Sequence, residues 1–132
     1  MAPLPENAKD WFDSAEFAVI ATILPSGQPH QSVVWVERDG DEILVSTVAG
    51  RRKHLNLERD PRVSLLVYPR ENPYSYVEVR GTATMTEEGG RELIDRLCRR
   101  YTGADRYTMD DGTDNIRVVV RIRPEKVVLL AR

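Results

Sequence analysis

Phe17 to Leu24 has the sequence FAVIATIL and Gln31 to Arg38 has the sequence QSVVWVER, with the segment Pro25-Ser26-Gly27-Gln28-Pro29 between them. Both runs have strand length and are rich in apolar, β-branched or aromatic residues, which are enriched in strands. The prolines and the glycine between them favour a turn. The segment therefore predicts two successive strands joined by a turn, as in an antiparallel sheet.

Strand signals continue along the rest of the chain. The pair Asp39-Gly40 lies between two β-rich runs and favours a hairpin. From Tyr76 to Met85 apolar and polar residues alternate, which predicts a strand with one apolar face. Further strands are predicted at 42–48, 63–68, 116–123 and 127–130.

Three short helices are predicted between these strands. The first runs from Ala8 to Ser14 with Asn7 as its cap, and the second runs from Arg51 to Asp60 and ends before Pro61. The third, Glu87 to Tyr101, is amphipathic, and a polar loop is predicted at 102–115. Six or seven strands with few helices predict a mostly β fold, an antiparallel barrel or sandwich, because a parallel sheet would need a crossover helix between each pair of strands.

The composition predicts one small cytoplasmic domain that spans residues 1–132. The only cysteine, Cys98, cannot form an internal disulfide, and the first residues do not resemble a signal peptide. No apolar stretch is long enough to span a bilayer, so no membrane partner is expected. The net charge of −2 also disfavours a nucleic-acid binder, for which a basic excess is typical.

The common catalytic motifs are absent from the sequence. With one cysteine and two histidines, it contains no CxxC, HExxH or GxSxG motif, so no metal site is predicted and common hydrolase chemistry has little support. Neither a Walker A loop nor a GxGxxG motif occurs. No side chain is assigned as catalytic on these grounds.

The segment Ser46 to Lys53 (STVAGRRK) has the features of a phosphate site. Two hydroxyl residues end a strand, a glycine turn follows, and Arg51, Arg52 and Lys53 open a helix. Cations at a helix N-terminus are unfavourable on their own because the helix dipole is already positive there. A bound phosphate would reverse this, since it accepts hydrogen bonds from the guanidinium forks, the ammonium group and the free N–H groups of the first helical turn. The alternative is a solvated basic turn.

Three stretches together resemble one known family. They are Ala18 to Trp35, Arg51 to Leu65 with the pattern R-x-K-x-x-N-L-x-x-D-P, and Val77 to Ala83 with the pattern V-x-G-x-A. In order and spacing they resemble the split-barrel flavoproteins related to pyridoxamine-phosphate oxidase. The short chain and the second pattern resemble the actinobacterial branch that uses the deazaflavin coenzyme F420. The resemblance implies a split β-barrel of six or seven antiparallel strands with short flanking helices.

The resemblance also implies a cofactor site in a groove between the two subunits of a homodimer. Ser32, Val33, Val34 and Trp35 would lie beside the ring system, Ser46 and Thr47 on the next strand, Arg51, Arg52 and Lys53 at the phosphate, and Tyr74 would approach from the partner chain. Trp35 could instead be a core or interface residue. The resemblance implies hydride transfer from reduced F420 to a small conjugated or carbonyl substrate. Thr22, Ser32 and Tyr74 are the candidates for returning a proton.

Other functions are compatible with the same pattern. FMN could replace F420, which would give an oxidase or a flavin reductase. The chain could also carry a cofactor or a tetrapyrrole without turnover, or be a small nucleic-acid-binding barrel. Oxidation of pyridoxamine phosphate itself is not supported, because the additional Arg and His residues of the true oxidases cannot be placed in this sequence.

Overall fold

A computed structural model describes all residues from 1 to 132. It contains seven strands and three helices. In chain order they are α1 (Glu6–Asp13), β1 (Ala18–Ile23), β2 (Pro29–Val34), β3 (Glu37–Asp39), β4 (Glu42–Val48), α2 (Arg52–Arg59), β5 (Arg62–Val67), β6 (Tyr76–Thr86), α3 (Gly90–Thr102) and β7 (Arg117–Leu130). No helix is both long and apolar enough to cross a membrane.

All strands form one antiparallel sheet in the order β2-β1-β5-β6-β7-β4-β3. The two edge strands, β2 and β3, do not pair with each other, so the barrel remains open between β2 and the β3–β4 hairpin. Helix α2 contacts both β1 and β4 and therefore connects the two sides of this opening. The predicted mostly β split barrel is confirmed.

The core fills the inside of the curved sheet. Ile20, Leu65, Val79 and Ile122 come from four different strands and are almost completely buried. Helix α1 adds Phe12, which is also fully buried. At about 25 cal/mol per Å² of apolar surface removed from water, side chains of this kind each contribute about 1.5–3 kcal/mol to the free energy of folding.

Helix α3 covers the outside of only one half of the barrel. Its residues Leu93 and Leu97 pack against Leu44 of β4 and Val119 of β7 in a second, smaller apolar cluster. No helix covers the outer surface of β2, β1 and β5. A row of apolar side chains lies on that surface, because Val19 pairs in register with Val33 on one side and with Leu66 on the other.

The structure divides one predicted strand and joins two others. The strand predicted at 31–38 ends at Val34, and a short β3 begins only at Glu37. The strands predicted at 116–123 and 127–130 form one continuous strand, and Ile116, expected on its inner face, is exposed. Pro124, which has no N–H to donate, is accommodated because the β6–β7 register shifts between Arg80 and Gly81.

The cap predicted for the first helix is also wrong. Asn7 lies inside the first turn, since α1 begins at Glu6 with Pro5 at the cap position and no side-chain cap. The carbonyl oxygen of Pro5 accepts hydrogen bonds from the backbone N–H groups of Ala8 and Lys9. Helix α3, in contrast, begins later than predicted, at Gly90, which follows Gly89 in the left-handed conformation.

Candidate functional site

A cleft of about 240 Å³ opens where the barrel is split. Its apolar walls come from the residue before β1, from the end of β2 and the residue after it, and from α3. They are Phe17, Val33, Val34, Trp35, Ile94 and Leu97. Its polar groups are Ser46, Lys53, Tyr107 and Arg117, which come from β4, α2, the loop before β7 and β7. A cleft with apolar walls and a few fixed polar groups is typical of a site for a small molecule or a cofactor.

A larger cavity of about 380 Å³ lies on the outside of the sheet, beside β1, β5, β6 and β7. Two of its three cations are already neutralised, because Arg62 pairs with Asp60 and Arg80 pairs with Glu78. The smaller cleft is the better candidate, since it combines an aromatic wall with cations from two separate elements.

The aromatic wall of the cleft is held in place from behind. The Trp35 ring stacks on Tyr101 with the ring centroids 5.3 Å apart and the planes at 15°. The Tyr101 hydroxyl donates to the carbonyl oxygen of Glu16 at 2.6 Å and accepts from the backbone N–H of Val36 at 3.0 Å. Burial raises the pKa of Tyr101 above its usual value, so the hydroxyl keeps its proton. This support fixes the orientation of Trp35.

Lys53 contributes the positive charge on the α2 side of the cleft. Its side chain is half-buried, and Nζ donates to the hydroxyl Oγ of Ser32 at 3.1 Å. Burial, assisted by the nearby charge of Arg51, lowers the pKa of Lys53. No carboxylate pairs with this ammonium group, so it is available to an anionic ligand.

Arg51 and Arg52 are exposed beside Lys53. Neither guanidinium forms a hydrogen bond or an ion pair within the chain. The first turn of α2 contains no acidic residue. Three cations and the free N–H groups of the helix therefore lie together without a counter-charge, which is the arrangement that binds phosphate.

Arg117 supplies a second charged group to the cleft. It binds Asp110 through two hydrogen bonds, Nε–Oδ2 at 2.7 Å and Nη2–Oδ1 at 3.0 Å, and both side chains are more than nine-tenths buried. Its guanidinium lies over the Tyr107 ring, 4.7 Å from the centroid. The Tyr107 ring in turn contacts Trp35 edge-on at 6.3 Å. The charged pair is thus continuous with the aromatic wall.

We expect the Asp110–Arg117 pair to make the protein sensitive to acid. Hydrogen bonds from Arg117 hold the pKa of Asp110 at about 2, below its ordinary value of 3.8. A carboxyl group with a lowered pKa stabilises the fold above its unfolded-state pKa, and this stabilisation is lost as the pH falls towards the folded-state pKa. Urea unfolding between pH 4 and pH 2 will therefore show a loss of stability that is smaller in Asp110→Asn. An equal loss in both proteins would contradict this role of Asp110.

The structure brings several of the predicted site residues together. Val33, Val34, Trp35, Ser46 and Lys53 line the one cleft. Ser32 does not line it and contacts the Lys53 ammonium group. Arg51 and Arg52 do not line the cleft either but are exposed beside Lys53, where α2 begins.

Three other predicted residues lie elsewhere. Thr47 is buried and points away from Ser46, since successive strand residues face opposite sides of the sheet. Tyr74 is 71% exposed in the loop between β5 and β6 and does not reach the cleft of its own chain. The Thr22 hydroxyl, a candidate proton donor, is buried and accepts a hydrogen bond from Asn56 Nδ2 at 3.0 Å.

Sequence reasoning did not find Phe17, Tyr107, Asp110 and Arg117 as site residues. Arg117 and Ser46 are 71 positions apart in the chain, and they meet only because β4 and β7 pair in the sheet. A charged residue that follows a polar loop carries no local signal of this contact. The nearest available signal was the alternation of the strand, which places Arg117 on the face opposite Val118.

This geometry can be compared with known proteins. The family model for pyridoxamine 5'-phosphate oxidase matches residues 4–131. The chain belongs to the pyridoxamine 5'-phosphate oxidase family. The resemblance identified from the sequence is thereby confirmed, together with the fold that it implied.

Several solved structures are similar to this chain along nearly its whole length. One is described as an F420 reductase and is 26% identical, with a TM-score of 0.83, covering 95% of this chain and 98% of the other. A conserved hypothetical protein from Mycobacterium tuberculosis is 31% identical, with a TM-score of 0.75, covering 94% of this chain and 82% of the other. General Stress Protein 26 from Bacillus anthracis, at 16% identity and a TM-score of 0.71, covers 95% and 92% and shows the shared fold alone.

Proposed function

We propose that this member of the pyridoxamine 5'-phosphate oxidase family is an F420H2-dependent oxidoreductase. It would transfer a hydride from the reduced deazaflavin to a small conjugated or carbonyl substrate, with residues 1–132 acting as one cytoplasmic cofactor-binding domain. The observation that carries the proposal is the cleft at the split of the barrel, which joins a rigid aromatic wall to the unpaired ammonium group of Lys53, next to the exposed Arg51 and Arg52. Its similarity to a structure described as an F420 reductase supports the choice of cofactor.

The residues in and beside the cleft fit both parts of such a cofactor, its phosphate and its ring system. Lys53, Arg51 and Arg52 would hold the phosphate and attract the carboxylates of a glutamate tail, because charged hydrogen bonds of this kind contribute about 1.5–3 kcal/mol each. Trp35, with the valines of β2, would cover one face of the ring system. The apolar walls would exclude water from the reacting atoms.

The cofactor, when bound, supplies the hydride, and no nucleophilic side chain is required. The role of the protein is to orient the ring and the acceptor against each other. Thr22, Ser32 and Tyr74 are the candidates for returning a proton, and the first two differ in their access to the cleft. The Thr22 hydroxyl is buried against Asn56, whereas Ser32 lies beside the Lys53 ammonium group at the edge of the cleft.

The uncovered outer surface of β2, β1 and β5 is the surface that we assign to a homodimer. Val33 is 67% exposed there and also lines the cleft, so the surface continues into the site. A partner chain on this surface would place the cofactor between subunits, as the resemblance implied. The exposed Tyr74 would then be supplied to the partner's cleft.

Val33→Asp should convert the dimer to a monomer. A carboxylate at this position would lose its hydration on association without gaining a partner, which is a costly desolvation. The molar mass in solution can be measured by light scattering during size-exclusion chromatography. Met109→Asp is the matched control, since Met109 is 74% exposed and lies on the loop before β7, not on β2, β1 or β5. A dimer that survives Val33→Asp would contradict the assignment of this surface.

The choice between F420 and FMN is tested by fluorescence titration of the purified protein with each cofactor. We expect tight binding of F420 and weak binding of FMN, followed by oxidation of F420H2 in the presence of an electron-poor alkene or ketone. Preferential binding of FMN would assign the chain to the oxidase or flavin reductase alternative. Binding without turnover for any acceptor would assign it to the carriers, and binding of neither cofactor would refute the redox function.

A further inference from the structure

Arg117 is the most unusual charged group of the cleft, because its side chain is almost completely buried. Only 9% of its side chain is exposed, and the cleft it lines is otherwise bounded mainly by apolar side chains. A buried charge requires a partner, and Asp110 provides one. The pair as a whole carries almost no net charge.

The bond to Asp110 does not use all the donors of Arg117. A guanidinium has five N–H groups, and Asp110 takes those on Nε and Nη2. Nη1 has one long contact, 3.4 Å to the Ser46 hydroxyl, which also lines the cleft. An oriented N–H donor and a hydroxyl therefore lie side by side at the wall of the cleft.

Several contacts fix this donor in place. The Tyr107 ring supports the guanidinium from one side, and the backbone N–H of Tyr107 donates to Asp95 Oδ1 at 2.8 Å. Arg91 binds the carbonyl oxygen of Tyr107 and also approaches Asp110. The contacts of the loop between α3 and β7 thus hold the Arg117 guanidinium in one orientation. Such fixed donors bind polar atoms without first having to be ordered.

We infer that Nη1 of Arg117 and the hydroxyl of Ser46 form a binding subsite for an oxygen on the edge of a planar conjugated ring, not for the phosphate. The inference rests on the proposed function and adds to it the residue that recognises the ring. A phosphate dianion is served better by three unpaired cations on α2 than by a guanidinium already neutralised by a carboxylate. A ring carbonyl or singly ionised ring oxygen needs a directed donor in an apolar setting, which Arg117 offers.

The test measures the affinity of four ligands for the full chain by fluorescence titration. Two ligands carry the phosphate, F420 and FMN, and two are their phosphate-free counterparts, the deazaflavin ribityl alcohol and riboflavin. The variant is the double substitution Arg117→Met with Asp110→Asn, because it removes both buried charges together and leaves neither unpaired. Arg117→Lys is a second variant, which keeps the charge but not the planar fork.

We expect the double variant to bind each ring ligand about 10- to 100-fold more weakly than the wild-type chain does, which is the effect of losing one charged hydrogen bond. The factor should be similar for the phosphate-free ligand and for its phosphate-bearing counterpart. Lys53→Ala should weaken only the phosphate-bearing ligands. Arg106→Ala, which removes an exposed ion pair with Asp111 from the same loop and does not line the cleft, is the control for structural damage and should leave the affinity unchanged.

Three outcomes would overturn the inference. They are unchanged affinity in a folded double variant, a loss confined to the phosphate-bearing ligands, and an Arg106→Ala variant that loses as much affinity as the double variant. If the wild-type chain binds FMN in place of F420, the proposed cofactor is refuted while the riboflavin comparison still decides the role of Arg117. If it binds none of the four ligands, both proposals are refuted.

Discussion

Lys53→Ala is expected to weaken the binding of F420 on the order of 100-fold at low salt. The Lys53 ammonium group is half-buried, and its contact within the chain is with a neutral hydroxyl. A phosphate would therefore replace a weak contact by a charge-assisted one, and such contacts contribute about 1.5–3 kcal/mol. Fluorescence titration at several salt concentrations measures both the affinity and its salt dependence, which should also become less steep in the variant.

Lys126→Ala is the matched control for this substitution. It removes the same side chain and the same charge from the larger outer cavity, so it changes the net charge of the protein equally. If long-range attraction were the cause, both variants would lose affinity by the same factor. Equal losses would therefore contradict a direct contact between Lys53 and the phosphate.

The lowered pKa of Lys53 adds a pH dependence to this prediction. Burial disfavours the charged ammonium group in the free protein, and a bound phosphate favours it, so binding raises the pKa again. Between the lowered pKa and the pKa of the bound state, F420 binding should take up a proton from the solvent. Titration calorimetry in two buffers of different ionisation enthalpy measures this uptake, which Lys53→Arg should abolish because an arginine stays charged.

Local sequence signals were sufficient for the part of the site that is contiguous in the chain. Val33 and Val34 end β2, Trp35 follows them, and Ser46 lies near the end of β4, so strand patterns and the turn before α2 indicate where they lie. Lys53 follows in the same segment. Strand alternation could also have shown that Ser46 and Thr47 do not both face the cleft, because neighbouring strand residues face opposite sides of the sheet.

The rest of the site depends on contacts between distant parts of the chain. Tyr101 is the last residue of the amphipathic helix predicted from Glu87, yet its hydroxyl binds the backbone of Val36, 65 positions away, and its ring supports Trp35. Arg117 reaches the cleft only through the pairing of β7 with β4. Neither contact follows from hydrophobic periodicity, which predicts elements and their buried faces but not the order of strands in a sheet.

The bounds of the long strand β7 also could not be predicted from hydrophobic periodicity. Pro124 and the charged residues around it interrupt the apolar alternation, so the pattern predicts two strands where the structure has one. The strand continues because the register shift at Arg80 and Gly81 relieves the pairing opposite the proline. The shift leaves Glu125, next to the proline, without a partner, so the irregularity lies in β7 itself and shows only in its pairing with a strand more than 40 positions earlier.

Gly81→Ala is expected to lower the free energy of unfolding by about 3 kcal/mol, the size seen when a packed site is overfilled. An added Cβ would lie 2.1 Å from the carbonyl oxygen of Arg123 and 2.9 Å from its carbonyl carbon. Both are backbone atoms of β7, so the clash can be relieved only by moving the strand and losing part of the β6–β7 pairing. The loss is measured as a lower midpoint of urea unfolding at unchanged slope.

Gly27→Ala provides the matched control, because it makes the same chemical change where nothing lies within 4 Å of the added Cβ. Its backbone φ of +90° is unfavourable for alanine and costs about 1 kcal/mol, which the reduced freedom of the unfolded chain partly offsets. The difference between the two variants isolates the close approach of β6 and β7. If Gly81→Ala were no more destabilising than Gly27→Ala, the strands could separate at little cost, and the V-x-G-x-A pattern would require another explanation.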